Sequence, residues 1–158
     1  MAVFLKRASR RDCEAVIADI RPADEAELVA SDGDARMAVI KGWLASPSYC
    51  WAGYDERGRT LGVFGVYAES WYWSCPWLVG TRALESRRRE FAALSFRVFP
   101  RVRARFPNMR NFVDARNSAS IAWLSKLGFT MGAPVERGPY GLPFIPFWIG
   151  GGDECVIR

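Results

Sequence analysis

Arginine dominates the chemistry that this chain can offer. Nine arginines and two glutamates lie between Arg82 and Arg110, although the net charge of the 158 residues is only +5, and lysine occurs only at positions 6, 41 and 126. A cationic face this dense can meet phosphate on a nucleotide, on nucleic acid, or the carboxylates of an acidic partner. The chain has no histidine. That excludes Ser-His-Asp and Cys-His chemistry and any imidazole base. Cys13, Cys50, Cys75 and Cys155 show no Cys-x-x-Cys spacing, so buried thiols are expected here in place of a metal cage or a disulfide framework.

The elements that must position these groups are marked by period and punctuation. Val3 to Arg7 reads as a strand, and Ser9 with Asp12 three residues on reads as a helix cap. Cys13, Val16, Ile17 and Ile20 recur at helical spacing up to Pro22. A second helix is expected over Ala23 to Ala30, broken at Asp32-Gly33-Asp34. A third carries Met37, Ile40, Trp43 and Leu44 and stops before Pro47. Tyr49–Tyr54 and Thr60–Tyr67 read as strands joined by a hairpin turn at Asp55–Gly58. Trp71–Val79 is a third strand-like run in which Pro76 predicts a bend or bulge.

Thr81 then caps a long helix with the stripe Phe91, Leu94, Val98, Val102 and Phe106, which Pro100 should kink or split. The final third reads as strand Asn111–Asp114, helix Ser118–Leu127, strand Phe129–Glu136, a Gly/Pro-rich connection, and strand Phe144–Ile149. Half of the residues are hydrophobic and a quarter charged, enough for one domain over residues 1–158 with its own core. No run approaches the ~18 apolar residues of a membrane-spanning helix. The N-terminus lacks the order of a signal peptide, which points to the cytoplasm.

Asn117, Ser120, Lys126, Gly128 and Phe129, following the apolar run Asn111–Ala115, together resemble the C-terminal half of the GNAT fold, the family of acetyl-CoA-dependent N-acetyltransferases. The resemblance extends over nearly the whole chain. It implies an α/β fold with a mixed central sheet of about six to seven strands flanked by about four to five helices. It also implies a wedge between central strands, with acetyl-CoA as cofactor. The cofactor contacts would fall on Leu78, Gly80, Thr81, Arg82, Arg87, Arg88 and Asn117, where backbone amides and a helix N-terminus favour an anion. A catalytic base would be sought at Glu69 or Asp114. Two positions depart from the family pattern. Gly80 stands alone without a Gly-x-Gly turn, and Leu124 occupies the place of the Tyr that commonly protonates the leaving thiolate.

A narrower set, Pro76–Thr81, Phe112–Asn117, Ser120–Leu124 and Pro139–Phe144, is similar to small GNAT-like proteins of tailed bacteriophages, several of them internal to the virion or associated with ejection. That resemblance implies a phage protein with a degenerate acyl-CoA site and a structural or interaction role, with other virion proteins as partners. It would reside in the host cytoplasm during infection and be packaged in the particle. The alternatives are an active acetyl-CoA-dependent N-acetyltransferase and nucleic-acid binding through the Arg82–Arg110 face, the latter without the aromatic–basic alternation of a known module.

Overall fold

The computed structural model describes residues 2–152; Cys155 lies outside them. The chain forms β1 (Phe4–Arg7), α1 (Arg10–Ala18), α2 (Pro22–Asp32), α3 (Ala35–Ala45), β2 (Cys50–Tyr54), β3 (Thr60–Ala68) and β4 (Ser74–Gly80). There follow α4 (Arg82–Glu85), α5 (Arg88–Arg105), β5 (Met109–Asp114), α6 (Ser118–Leu127), β6 (Thr130–Met131), β7 (Val135–Arg137) and β8 (Leu142–Ile149).

The helix boundaries are those the local chemistry sets. The Ser9 amide donates to Asp12 at 2.8 Å to open α1. Pro22 is the first residue of α2, where a missing N–H costs nothing. Gly33 ends α2 at φ +82 and Gly128 ends α6 at φ +103, both in the left-handed region that glycine occupies without penalty. Asn117 caps α6 by accepting from the Ser120 amide. The division expected at Pro100 falls elsewhere. Pro100 lies inside α5, and the break comes at Ser86–Arg87, between α4 and α5.

All eight strands join one mixed sheet in the order β1-β2-β3-β4-β5-β8-β6, with β7 also on β8. Val63 and Val66, three residues apart on β3, serve two different cores, one on each face. On one face Cys13, Val16 and Val39 from α1 and α3 pack on Ala52, Val63 and Val79. On the other, Val102 and Leu124 from α5 and α6 pack on Met109, Val113, Phe147 and Ile149.

β4 and β5 are parallel neighbours for a single registered pair, Ser74 with Met109, and then splay apart. Pro76 sits just beyond that pair. Its expected bulge is absent, since the β3–β4 register runs unbroken from Ala68–Ser74 to Gly62–Gly80. Even-numbered β4 residues turn their backbone groups toward β5, because the Ser74 amide donates to Asn108. The proline therefore removes a donor only on the side where no partner strand remains. Its carbonyl is met instead by Asn111 Nδ2 at 2.8 Å, across the neck of the split.

Candidate active site

The splayed strands open a cavity of about 520 Å³, walled by α2 and α3 on one face of the sheet and by α5 and α6 on the other. Splaying leaves backbone amides without strand partners, and α2 answers two of them. Asp24 Oδ2 accepts from the Gly80 amide at 2.7 Å, on the β4 lip. Glu27, three residues on and so on the same helix face, accepts from the Asp114 backbone on the β5 lip. The two carboxylates bracket the opening. Between them the alternation along β4 aims the Leu78 N–H into the gap.

Glu27 is the group whose proton affinity this arrangement changes most usefully. Burial pushes its carboxyl up from 4.5 to about 7, the neighbouring Asp24 and Asp114 charges add to the rise, and hydrogen bonds from Asn117 and the Asp114 backbone oppose it. Asn117 Nδ2 donates to Glu27 Oε2 at 2.9 Å while Asn117 Oδ1 caps α6. One asparagine thus ties the base candidate to the helix that borders the cavity. A carboxylate poised near neutrality on a cavity wall can accept a proton from an amine.

The residues singled out from sequence divide into three groups. Leu78 and Asn117 line the cavity. Gly80, Thr81 and Arg82 stand at its β4 edge with their amides engaged by Asp24, the Leu61 carbonyl and the Asp19 carbonyl. Arg82 also pairs with Asp19 at 3.3 Å, and the Thr81 hydroxyl donates to the Thr60 and Leu61 carbonyls. Arg87 pairs with Glu56 at 2.7 Å, whereas Arg88 is exposed in the first turn of α5. Glu69 lies off the cavity, bound to Arg110 at 2.8 Å. Asp114 is buried but held by Arg116, whose hydrogen bonds keep its carboxyl below the usual range. The basic stretch is likewise partly engaged: Arg110 stacks on Trp73 and Arg105 on Tyr49.

The cavity contains donors in search of partners. Among the described residues Trp123 Nε1 and Arg21 Nε are buried without a hydrogen-bond partner, and both residues line it. Trp77 does not plug the gap. It lies over Gly65 and against Gly42, where an added Cβ would fall within 2.8 Å and 3.1 Å of the indole, and donates to Ser46 Oγ. Sequence reasoning passed over Glu27 and Asp24, and weighed the Trp123 indole only as an acid, for which it has no useful acidity. The one available signal was an acidic pair three residues apart in a helix that also carries apolar residues.

No family model matches the sequence, and no curated protein does. Solved structures do. Ard1 from Thermoplasma volcanium aligns at a TM-score of 0.69 and 16% identity over 96% of this chain and 99% of that one. The chain has the GNAT fold. An acetyltransferase of the GNAT family from Streptococcus pneumoniae gives 0.62 and 14% over 94% and 99%. The NatC complex bound to Gag peptide and CoA gives 0.68 and 10% over 96% and 99%. The sheet has eight strands and the chain six helices among the described residues, slightly more than sequence predicts because β6, β7 and α4 are short. None of these three structures is described as a virion protein, so the expected phage role gains no support from them.

Proposed function

We propose that this protein is an acyl-CoA-dependent N-acyltransferase. The observation that carries the reading is the open gap between β4 and β5, with Glu27 on one wall and the Leu78 N–H facing into it. The residues fit the pantetheine arm of such a cofactor: the cavity of about 520 Å³ is largely apolar and supplies the Trp123 N–H, which has no partner among the described residues. They do not fit its diphosphate at Gly80–Arg82, where every amide already has a protein acceptor. The first turn of α5 suits it better. That helix begins at Arg87 without a side-chain cap, leaving its first amides for an anion beside exposed Arg88 and Arg89.

When bound, the cofactor supplies an acyl carbon activated as a thioester. The chain's own groups do the rest. Glu27, ionised above about pH 7, accepts the proton that an ammonium must lose to become a nucleophile. The Leu78 N–H is placed to donate to a carbonyl oxygen in the gap. Asn117 holds Glu27 in position. Leu124 is buried hydrocarbon and has no proton to give, so protonation of a thiolate falls to solvent.

The test is calorimetric titration with acetyl-CoA, followed by release of free thiol in the presence of a panel of primary amines. Binding together with amine-dependent release supports the enzyme. Absence of binding at millimolar acetyl-CoA would leave a scaffold of this fold without its chemistry.

A further inference from the structure

The half of the cavity on the α2–α3 side has a chemistry of its own, and it deepens the proposed function by naming the acceptor. Trp77 and Phe112, on opposite lips of the split, wall it with aromatic surface. Arg137, on β7, lies over the Phe112 ring at 3.7 Å from its centroid. A guanidinium resting on a ring through its carbon can still present N–H groups to a carboxylate, which it grips bidentately. Among the described residues Arg137 has no ion-pair partner, and neither has Lys41, which lines the same space from α3.

The spacing to Glu27 is set by one close packing. Gly138, at φ +75, brings the start of the β7–β8 turn onto α2 so tightly that a Cβ there would lie 1.9 Å from the Ala30 carbonyl oxygen. Glu27 is three residues before Ala30, just under one helical turn, or about 5 Å along the axis. Arg137, next to Gly138, and Glu27, one turn before Ala30, thus both line the α2 side of the same cavity.

We propose that the acceptor is a small primary amine bearing a carboxylate and an apolar body, the chemistry of an aromatic or aliphatic amino acid. Its amine faces Glu27, its carboxylate meets Arg137 with Lys41 nearby, and its side chain lies against Trp77. Asp32, bonded by Ser31 at 2.5 Å, is a further acid on this wall beside Asp24 and Glu27, and this acidity makes a polyamine the natural competitor. This inference rests on the N-acyltransferase reading, but the test separates the two.

L-phenylalanine, phenethylamine and spermidine are titrated calorimetrically into the full chain without any acyl donor, and acetyl-CoA is titrated separately. The expected result is phenylalanine binding about 10- to 100-fold tighter than phenethylamine, the worth of one charge-assisted pair. Arg137→Gln should bring the two to parity while leaving phenethylamine unchanged. Arg137 is exposed, so this variant should fold, and Lys41→Gln provides a second, milder reduction. Equal binding of phenethylamine, tighter binding of spermidine, no binding of phenylalanine, or a preference that survives Arg137→Gln would each overturn the proposal. If acetyl-CoA binds and only amines lacking a carboxylate are acylated, the enzyme stands and this acceptor falls. If phenylalanine binds as expected and acetyl-CoA does not, the acceptor site stands and the enzyme falls.

Discussion

Replacing Glu27 by Gln should make the protein relatively more stable as pH rises, and the size of the effect follows from its surroundings. The carboxyl has an ordinary value of 4.5 and is pushed up to about 7 in the fold. A group bound more tightly to its proton in the native state contributes stability that is complete below 4.5 and is lost as pH climbs through 7. At 1.36 kcal/mol per pH unit, the wild type should lose about 3 kcal/mol relative to Glu27→Gln between pH 4.5 and pH 8. For a chain of this length that is a change of about 6–12 °C in the difference between the two midpoints. Any fixed cost of placing an amide beside Asn117 and the Asp114 N–H appears at both pH values and cancels. So do the titrations of carboxylates that do not interact with Glu27, which the two proteins share. The assay is differential scanning calorimetry of both proteins at half-unit pH steps. A midpoint difference that stays flat across this range would refute the reasoning, because it would mean that Glu27 ionises in the fold as it does in water. The same residue should give wild-type turnover an ascending limb near pH 7 that the variant lacks.

Gly80→Ala should destabilise by about 1–3 kcal/mol, as overpacking of a tight corner does, since the new Cβ would fall 2.5 Å from Leu84 Cδ2; an unchanged melting temperature would count against that packing. Trp123→Phe removes a buried N–H that has no hydrogen-bond partner among the described residues, so acetyl-CoA affinity should fall several-fold in calorimetry without loss of thermal stability. Arg88→Gln with Arg89→Gln should weaken acetyl-CoA but not acetyl-pantetheine, which lacks the diphosphate, and the effect should shrink with added salt. Cys13, Cys50 and Cys75 are buried, with burial pushing their thiols up to about 11, 12 and 11; they should react with a thiol reagent at neutral pH only after denaturant is added.

Whatever depends on neighbours in sequence was legible. The α6 boundaries could be read because Asn117 and Gly128 act within one turn of their own backbone. The Asp55–Gly58 turn could be read because Asp55 accepts from the Arg57 and Arg59 amides, only two and four residues on. The site was not legible, because its chemistry comes from distant partners. Glu27 reaches Asn117 across 90 positions, and Asp24 reaches Gly80 across 56. Nothing local in Pro22–Asp32 separates those two carboxylates from the exposed Glu25 of the same helix. Pro76 was visible but misread. A proline in a central strand suggests distortion, yet here its missing N–H faces a gap, which is a property of the neighbouring strand.

The absent Gly-x-Gly turn takes on a different meaning once the lips of the gap are compared. In this chain the amides of Gly80, Thr81 and Arg82 tie the end of β4 to α2, β3 and the α1–α2 connection. Freeing them for a phosphate would cost three protein hydrogen bonds, one of them to a buried carboxylate. A second glycine at this place would therefore gain nothing. The break between α4 and α5 starts a new helix about two turns further on, with its own uncapped amides and two exposed arginines. On the proposed reading an anion would sit further along the chain, at the start of α5, while of the α2 pair only Asp24 takes one of the old amides, that of Gly80, and Glu27 lines the cavity with Leu78. Asp24 and Glu27, on a single face of α2, thus hold the Gly80 amide on one lip of the split and meet the Asp114 backbone on the other.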